Sequence, residues 1–233
     1  MERVTMGRAG FRILVVAAVL TAMFLAAAPV ARAADAEDAQ ATVDKARITL
    51  GEFLRDNNYS WLRDHVKEAK GVLIYPQVLK AGFIFGGSGG TGVLLRRDTK
   101  TGDWSYPGFY TLGSVSFGLQ IGGESAEVIL LVMSQKGMDA LLTSKFKLGG
   151  DTSIALGPVG AGAKSDITTD FISFAKSKGL YAGLNLDGSY LDVREGLNKA
   201  YYGKPVTPVD IMVKNAVSNK KADPLREELK KAK

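Results

Sequence analysis

The feature that most constrains this chain is where its glycines fall. Between Gly71 and Gly203 there are 24, whereas Ala34 to Lys70 holds one, Gly51. Glycine costs a helix interior about 1 kcal/mol relative to alanine, so so glycine-rich a stretch does not read as helix throughout. Segments with strand character recur instead: Val72–Tyr75 closed by Pro76, Ala81–Phe85, Val93–Arg97, Phe109–Gln120 and Val128–Met133, with more in Lys145–Leu156 and Phe171–Asp187. Glycine inside strands marks bulges, corners or close backbone approach. Many short strands with glycines between them predict a sheet that bends on itself. The expected class is α+β: a curved antiparallel β-sheet or barrel-like core, glycine-rich, with flanking helices.

The helices are read from period. Val43, Ala46, Leu50, Phe53 and Leu54 recur at three-to-four spacing, while Asp44, Lys45 and Glu52 fall off that face. Asn57-Asn58 ends this helix, and Trp61–Ala69 predicts a short second one. The apolar stripe has two destinations, the sheet or a membrane interface. Met138, Leu141 and Leu142 give Gln135–Ser144 helical spacing, and Asn198–Val213 reads as short helical pieces around Pro205 and Pro208. Ser218–Lys233 is charged and reads as a tail with at most a short helix. The helical segment 34–70 and the β-rich part 71–217 are expected to pack as one domain, with 218–233 as the tail.

Residues 1–33 read differently. Arg3, Arg8 and Arg12 make a basic start, an apolar run follows from Ile13 to Val30, and Ala31-Arg32-Ala33 is a small-x-small cleavage site. That is the layout of a secretory signal peptide. The run is nearly long enough for a membrane anchor, but Pro29 and the small residues stand where a peptidase cuts. The expected mature chain starts at Ala34 and is exported, periplasmic and at most peripherally bound to membrane. With no Cys there is neither a thiol for lipidation nor a disulfide framework. Four Arg and one Glu leave with residues 1–33, so the remainder carries 26 basic and 23 acidic residues, a net +3. That does not point to nucleic acid, which asks for a strongly basic face; weak attraction to an anionic membrane is compatible with it.

Catalytic motifs are matched only in letters. Gly87-Ser88-Gly89-Gly90-Thr91-Gly92 fits G-x-G-x-x-G, but a dinucleotide site needs a helix after the turn, and Val93–Asp98 continues as strand and hairpin. The segment 86–92 reads as a glycine-rich bend between strands. Gly86–Gly90 also fits G-x-S-x-G around Ser88, yet that chemistry needs a His later in the chain, and the one histidine, His65, precedes it. A lone His without Cys leaves little for zinc. Glu124 and Glu127, and Asp187 and Asp192, have no spacing that specifies acid–base work and read as strand ends and turns. No catalytic residue, metal or cofactor is expected. The basic residues are the candidate binding set: Arg96, Arg97 and Lys100, then Lys145 and Lys147, then Lys176 and Lys178. The last two pairs are two apart, so each shares a strand face. They could ring an anionic site, or could be the charges that keep sheet edges from aggregating.

Several segments together resemble a known family. Ala69-Lys70-Gly71, Lys80-Ala81-Gly82-Phe83, Trp104-Ser105-Tyr106-Pro107, Phe117–Gly122, Leu148-Gly149-Gly150, Ala155–Gly160, Ser177–Gly183, Gly188-Ser189 and Tyr202-Gly203 follow the order of the SYLF family from about Ala69 to Met212. The resemblance implies a non-enzymatic module. Eukaryotic members bind phosphoinositides and some bind or bundle actin; bacterial members are exported and described as lipid-binding. It implies anionic phospholipid or a membrane surface as partner, with the basic residues above as candidate contacts. The family's amphipathic N-terminal helix maps loosely onto Val43–Leu54, which makes Val43, Ala46, Leu50, Phe53 and Leu54 the alternative membrane-facing set. Eukaryotic members often carry a basic residue in the glycine segment where this chain has Ser88. A structural or protein-interaction module of the envelope, without a specific lipid, is the alternative function.

Overall fold

The computed structural model describes residues 34–82, 85–117, 122–143, 145–150, 152–160, 168–177 and 186–232. Residues 1–33, and with them the expected signal peptide, lie outside the described residues.

The first helix, α1, covers 34–55. Its stripe forms because one face carries Val43, Ala46, Leu50 and Phe53, all at most 1% exposed. The carboxylate of Asp56 then accepts from the Asn58 N–H at 3.0 Å and starts a 3-10 turn, Asn57–Tyr59, which leads into α2, Ser60–His65. Four long strands follow: β1 Gly71–Gly82, β2 Phe85–Arg96, β3 Gly108–Phe117 and β4 Gly122–Val132. After α3 (Gln135–Leu141) come β5 Lys145–Lys147, β6 Ile154–Leu156, β7 Phe171–Ser177 and β8 Tyr190–Val193. The chain ends in α4 Glu195–Tyr202, α5 Pro208–Met212 and α6 Asp223–Lys231.

The strands make one sheet in the order β5-β8-β3-β2-β1-β4-β7-β6. Every pairing is antiparallel except β6 with β7, so one parallel pair at the edge makes the sheet mixed. Its two edges, β5 and β6, are joined by the six residues 148–153. Seven strand spacings of about 4.8 Å would hold flat edges about 34 Å apart, while seven residue steps reach at most about 25 Å. The sheet therefore rolls into a half-barrel. Phe146 on β5 and Phe171 on β7 meet across the inner face with ring centroids 5.7 Å apart.

Both faces of the sheet's lower half are buried, which is why β1 and β4 read as continuous apolar runs rather than alternating ones. Ile74, Val93, Ile129 and Ile172 point outward under α1, α2, α4 and α6. Leu73, Leu94, Leu130 and Leu191 point inward, where Met138 and Leu141 of α3 and Ile211 and Met212 of α5 join them.

The glycine-rich segment 86–92 is not a bend. It is the first half of β2, paired with β3 throughout and with β1 from Gly86 to Gly90. The reason lies on β1, which does not stop at Pro76: its register shifts between Ile74 and Val78. A bulge is where a central strand tolerates a proline, which has no N–H for the ladder. The bulge presses on β2, where a Cβ at Gly90 would lie 2.4 Å from the Gln77 carbonyl oxygen. The charged stretch 218–232 is also part of the fold. Leu225 and Leu229 of α6 are buried in the outer core, and the Arg226 guanidinium donates to the Trp104 carbonyl at 2.8 Å while lying over the Tyr106 ring.

Candidate functional site

The basic residues do not gather into one ring. Arg96, at the end of β2, donates to the Met212 carbonyl of α5 at 3.2 Å. Arg97 bridges Trp104 at the base of the following hairpin. Lys100 lies in its turn, where the Asp98 carboxylate accepts from the Lys100 and Thr101 N–H groups and is thereby held below the usual carboxylate range. Lys176, on β7, pairs with Asp56 at 3.5 Å. The Asp56 carboxyl is lowered first by the Asn58 N–H and then by Lys176, a pattern that caps and ties the end of α1. Lys178 lies outside the described residues.

Lys145 and Lys147 are different. β5 is three residues long and alternates, so Phe146 turns into the barrel and both lysines turn out. The register sets Lys147 opposite Tyr190 and Lys145 opposite Asp192. The two ammonium groups flank the Tyr190 ring at 5.2 and 5.8 Å from its centroid, and that tyrosine is 47% exposed. Two cations beside an exposed amphipathic ring can meet phosphate oxygens and the boundary of an apolar layer together. Sequence reasoning found the lysines from their spacing. It missed Tyr190, because β8 is four residues long and its pairing with β5 has no local signal.

The alternative membrane-facing set is occupied otherwise. Val43, Ala46, Leu50, Phe53 and Leu54 are between 0 and 9% exposed, against the sheet. The Phe53 ring lies 4.5 Å from that of Tyr59, whose hydroxyl donates to the Ala175 carbonyl.

Most of the groups weighed for catalysis have structural partners. Ser88 stands inside a strand, its hydroxyl 2.6 Å from that of Ser114. His65 stacks on Trp61 at 3.9 Å and its Nδ1 bonds the Trp61 carbonyl. Glu127 accepts from the Thr49 hydroxyl at 3.0 Å, and Glu124 from that of Ser177. The Asp187 carboxylate covers Gly149, whose φ is positive and whose Cβ would strike it. Burial pushes the phenols of Tyr75, Tyr110, Tyr201 and Tyr202 upward, away from proton transfer near neutral pH. Among the described residues no three His, Asp or Glu groups are placed to share a metal ion, and no helix is long and apolar enough to cross a membrane. A groove of about 490 Å³ lies between α4 and α5, lined by Leu142, Val193, Pro205, Val206 and Pro208 with Lys199 at its side.

Comparison with known proteins bears on this arrangement. Residues 113–232 match the family model described as Ysc84, Las17-binding protein actin regulator. An SH3 domain-containing protein of Schizosaccharomyces pombe is 34% identical over 164 residues, 67% of this chain and 38% of the relative. Protein YSC84 of Saccharomyces cerevisiae is 34% identical over 169 residues, 69% of this chain and 35% of the relative. The SH3 domain-containing YSC84-like protein 1 of Bos taurus is 28% identical over 169 residues, 70% of this chain and 49% of the relative. The chain thus spans half or less of the length of these relatives. No solved structure matches it.

Proposed function

The chain belongs to the Ysc84, or SYLF, family, and from that premise we propose that it is a non-enzymatic module that binds anionic phospholipid at a bacterial envelope membrane. The observation that carries this reading is the patch of Lys145, Lys147 and Tyr190. Each Lys near an anionic surface contributes about 1 kcal/mol, and a half-exposed tyrosine suits the headgroup level. The layout of residues 1–33 supports export to the periplasmic side. The family description names a regulator that binds another protein, not a catalyst.

Co-sedimentation with vesicles tests the reading. Lys145→Glu with Lys147→Glu should weaken binding to anionic vesicles more than tenfold, since about 1.4 kcal/mol is a factor of ten. Salt should weaken wild-type binding, because surface charges are screened beyond about 8–10 Å. Equal binding to anionic and neutral vesicles, indifferent to salt and to the double variant, would overturn it. The second reading is a protein-interaction module of the envelope, favoured by the Las17-binding description of the family. Failure to bind either kind of vesicle would select it.

A further inference from the structure

The rolled sheet has an inner face that changes character along its length. Its lower half is apolar, ending in a row at one level: Val78 on β1, opposite Ala126 on β4 and Gly90 on β2, with Leu112 of β3 beyond. Side chains alternate along a strand, so the next residues on this face are two further along. They are Lys80 on β1, Ser88 on β2, Ser114 on β3 and Glu124 on β4, and the register sets Lys80 directly opposite both Ser88 and Glu124. Ser88 and Ser114 share a hydrogen bond, and Ser177 of β7 donates to Glu124. One level higher the same face carries Gly82, Gly86 and Gly122, again in register. No side chain stands over the polar row on these three strands.

Two features of this row point to a ligand. Lys80 and Glu124 are half-buried neighbours of opposite charge, yet no ion pair joins them among the described residues. Below the row, the Tyr75 hydroxyl of the inner core is buried without a hydrogen-bond partner. The Ser189 hydroxyl is in the same state, on a residue whose backbone bonds Leu148 and Leu186 of that core. An unpaired buried hydroxyl costs about 1–3 kcal/mol, which sets these two apart from the satisfied polar groups of the inner core. The mouth of a curled sheet is also a usual place for a small-molecule site.

We propose that the polar row of the half-barrel's inner face binds an ethanolamine phosphate group, its phosphate against Lys80, Ser88 and Ser114 and its ammonium against Glu124. A purely anionic ligand would bring a charge against the Glu124 carboxylate. A ligand carrying both signs meets both side chains, and its two-carbon bridge holds the charges roughly one strand spacing apart, about 4.8 Å. A primary ammonium donates N–H bonds to a carboxylate, whereas a trimethylated one has none to give. The site therefore distinguishes ethanolamine from choline. It lies on the opposite face of the sheet from Lys145 and Lys147 and does not depend on that patch.

The test uses the full chain, vesicles of phosphatidylethanolamine or phosphatidylcholine, and soluble O-phosphoethanolamine, inorganic phosphate and ethanolamine. Wild-type protein should bind O-phosphoethanolamine at least tenfold more tightly than phosphate or ethanolamine alone. Glu124→Gln should remove the preference over choline, and Lys80→Met should remove binding of the phosphate ester, both at unchanged melting temperature. Lys145→Glu with Lys147→Glu should leave the preference intact, which separates failure at this site from failure of the surface patch. Preferential binding of the ethanolamine vesicles identifies a lipid as the source, and binding of the soluble ester alone identifies a free metabolite. Equal binding of ethanolamine and choline forms, or a preference that survives Glu124→Gln, overturns the proposal. Should Lys80→Met lower the melting temperature, Ser88→Ala provides the same readout for the phosphate side.

Discussion

Replacing Gly92 by alanine is the sharpest test of why β2 is built from glycine. A Cβ there would stand 2.4 Å from the Ile74 carbonyl oxygen and 2.5 Å from the Tyr75 ring, about 1 Å inside the separation of about 3.5 Å at which carbon contacts turn favourable. Neither neighbour can yield cheaply. The carbonyl is part of the bulged ladder, and Tyr75 is fully buried. Overpacking costs about 1–3 kcal/mol, and the gain from stiffening the unfolded chain offsets only about 0.4–1 kcal/mol. The net loss is about 1–2 kcal/mol, a fall in Tm of about 2–8 °C for a domain of this size. The control is Gly113→Ala on β3, where a Cβ meets nothing within 4 Å; it should be neutral or raise Tm slightly. Thermal melts followed by circular dichroism compare the two. A Gly92→Ala protein that melts as high as Gly113→Ala refutes the bulge as the reason for the glycines.

Phe53→Ala should cost about 3–5 kcal/mol, because the ring is fully buried between α1 and the sheet; urea unfolding measures it, and a loss under 1 kcal/mol would contradict the packing. Leu229→Ala should cost about 2–5 kcal/mol by the same assay, although it lies in the charged C-terminal stretch, since its side chain is 1% exposed in the outer core. Asp170 accepts hydrogen bonds from Ser134 and Ser153, which lower its pKa. A lowered carboxyl stabilises the fold fully above its unfolded value of about 3.9 and loses that contribution as pH falls through the lower folded value. Asp170→Asn should therefore be less stable than wild type at pH 7, with the gap closing in strong acid; a gap that is constant with pH would show that the shift is not what stabilises.

The period of α1 was legible because an amphipathic helix repeats its signal over about three turns from Val43 to Leu54, and the destination of its stripe became visible only with the sheet beneath it. The lower halves of β1 and β4 were legible as buried runs. The glycine segment misled because its cause is on another strand: nothing within residues 86–92 records that Pro76 bulges against them. β8 was missed since Tyr190–Val193 is held by pairings to β3 and β5, both distant in sequence. The site divides in the same way. Lys145 and Lys147 share a face by spacing alone, but that Tyr190 stands between them, that Lys176 is engaged by Asp56, and that Lys80 and Glu124 are neighbours are facts of register. Ser88 and Glu124 were noticed in the sequence for enzyme patterns they do not serve.

The six residues joining β5 to β6 also bear on how the domain comes apart. Edge strands of an open sheet fray independently, each with its own small opening free energy. Here a departure of β5 drags on a tether that ends at β6, and it breaks the Phe146–Phe171 stack that closes the inner core. The two margins of the sheet therefore open as one cooperative unit. In native-state hydrogen exchange the amides of Leu148, bonded to Ser189, and of Gly157, bonded to Ser173, report on opposite margins and should show one opening free energy; two distinct values would refute the coupling.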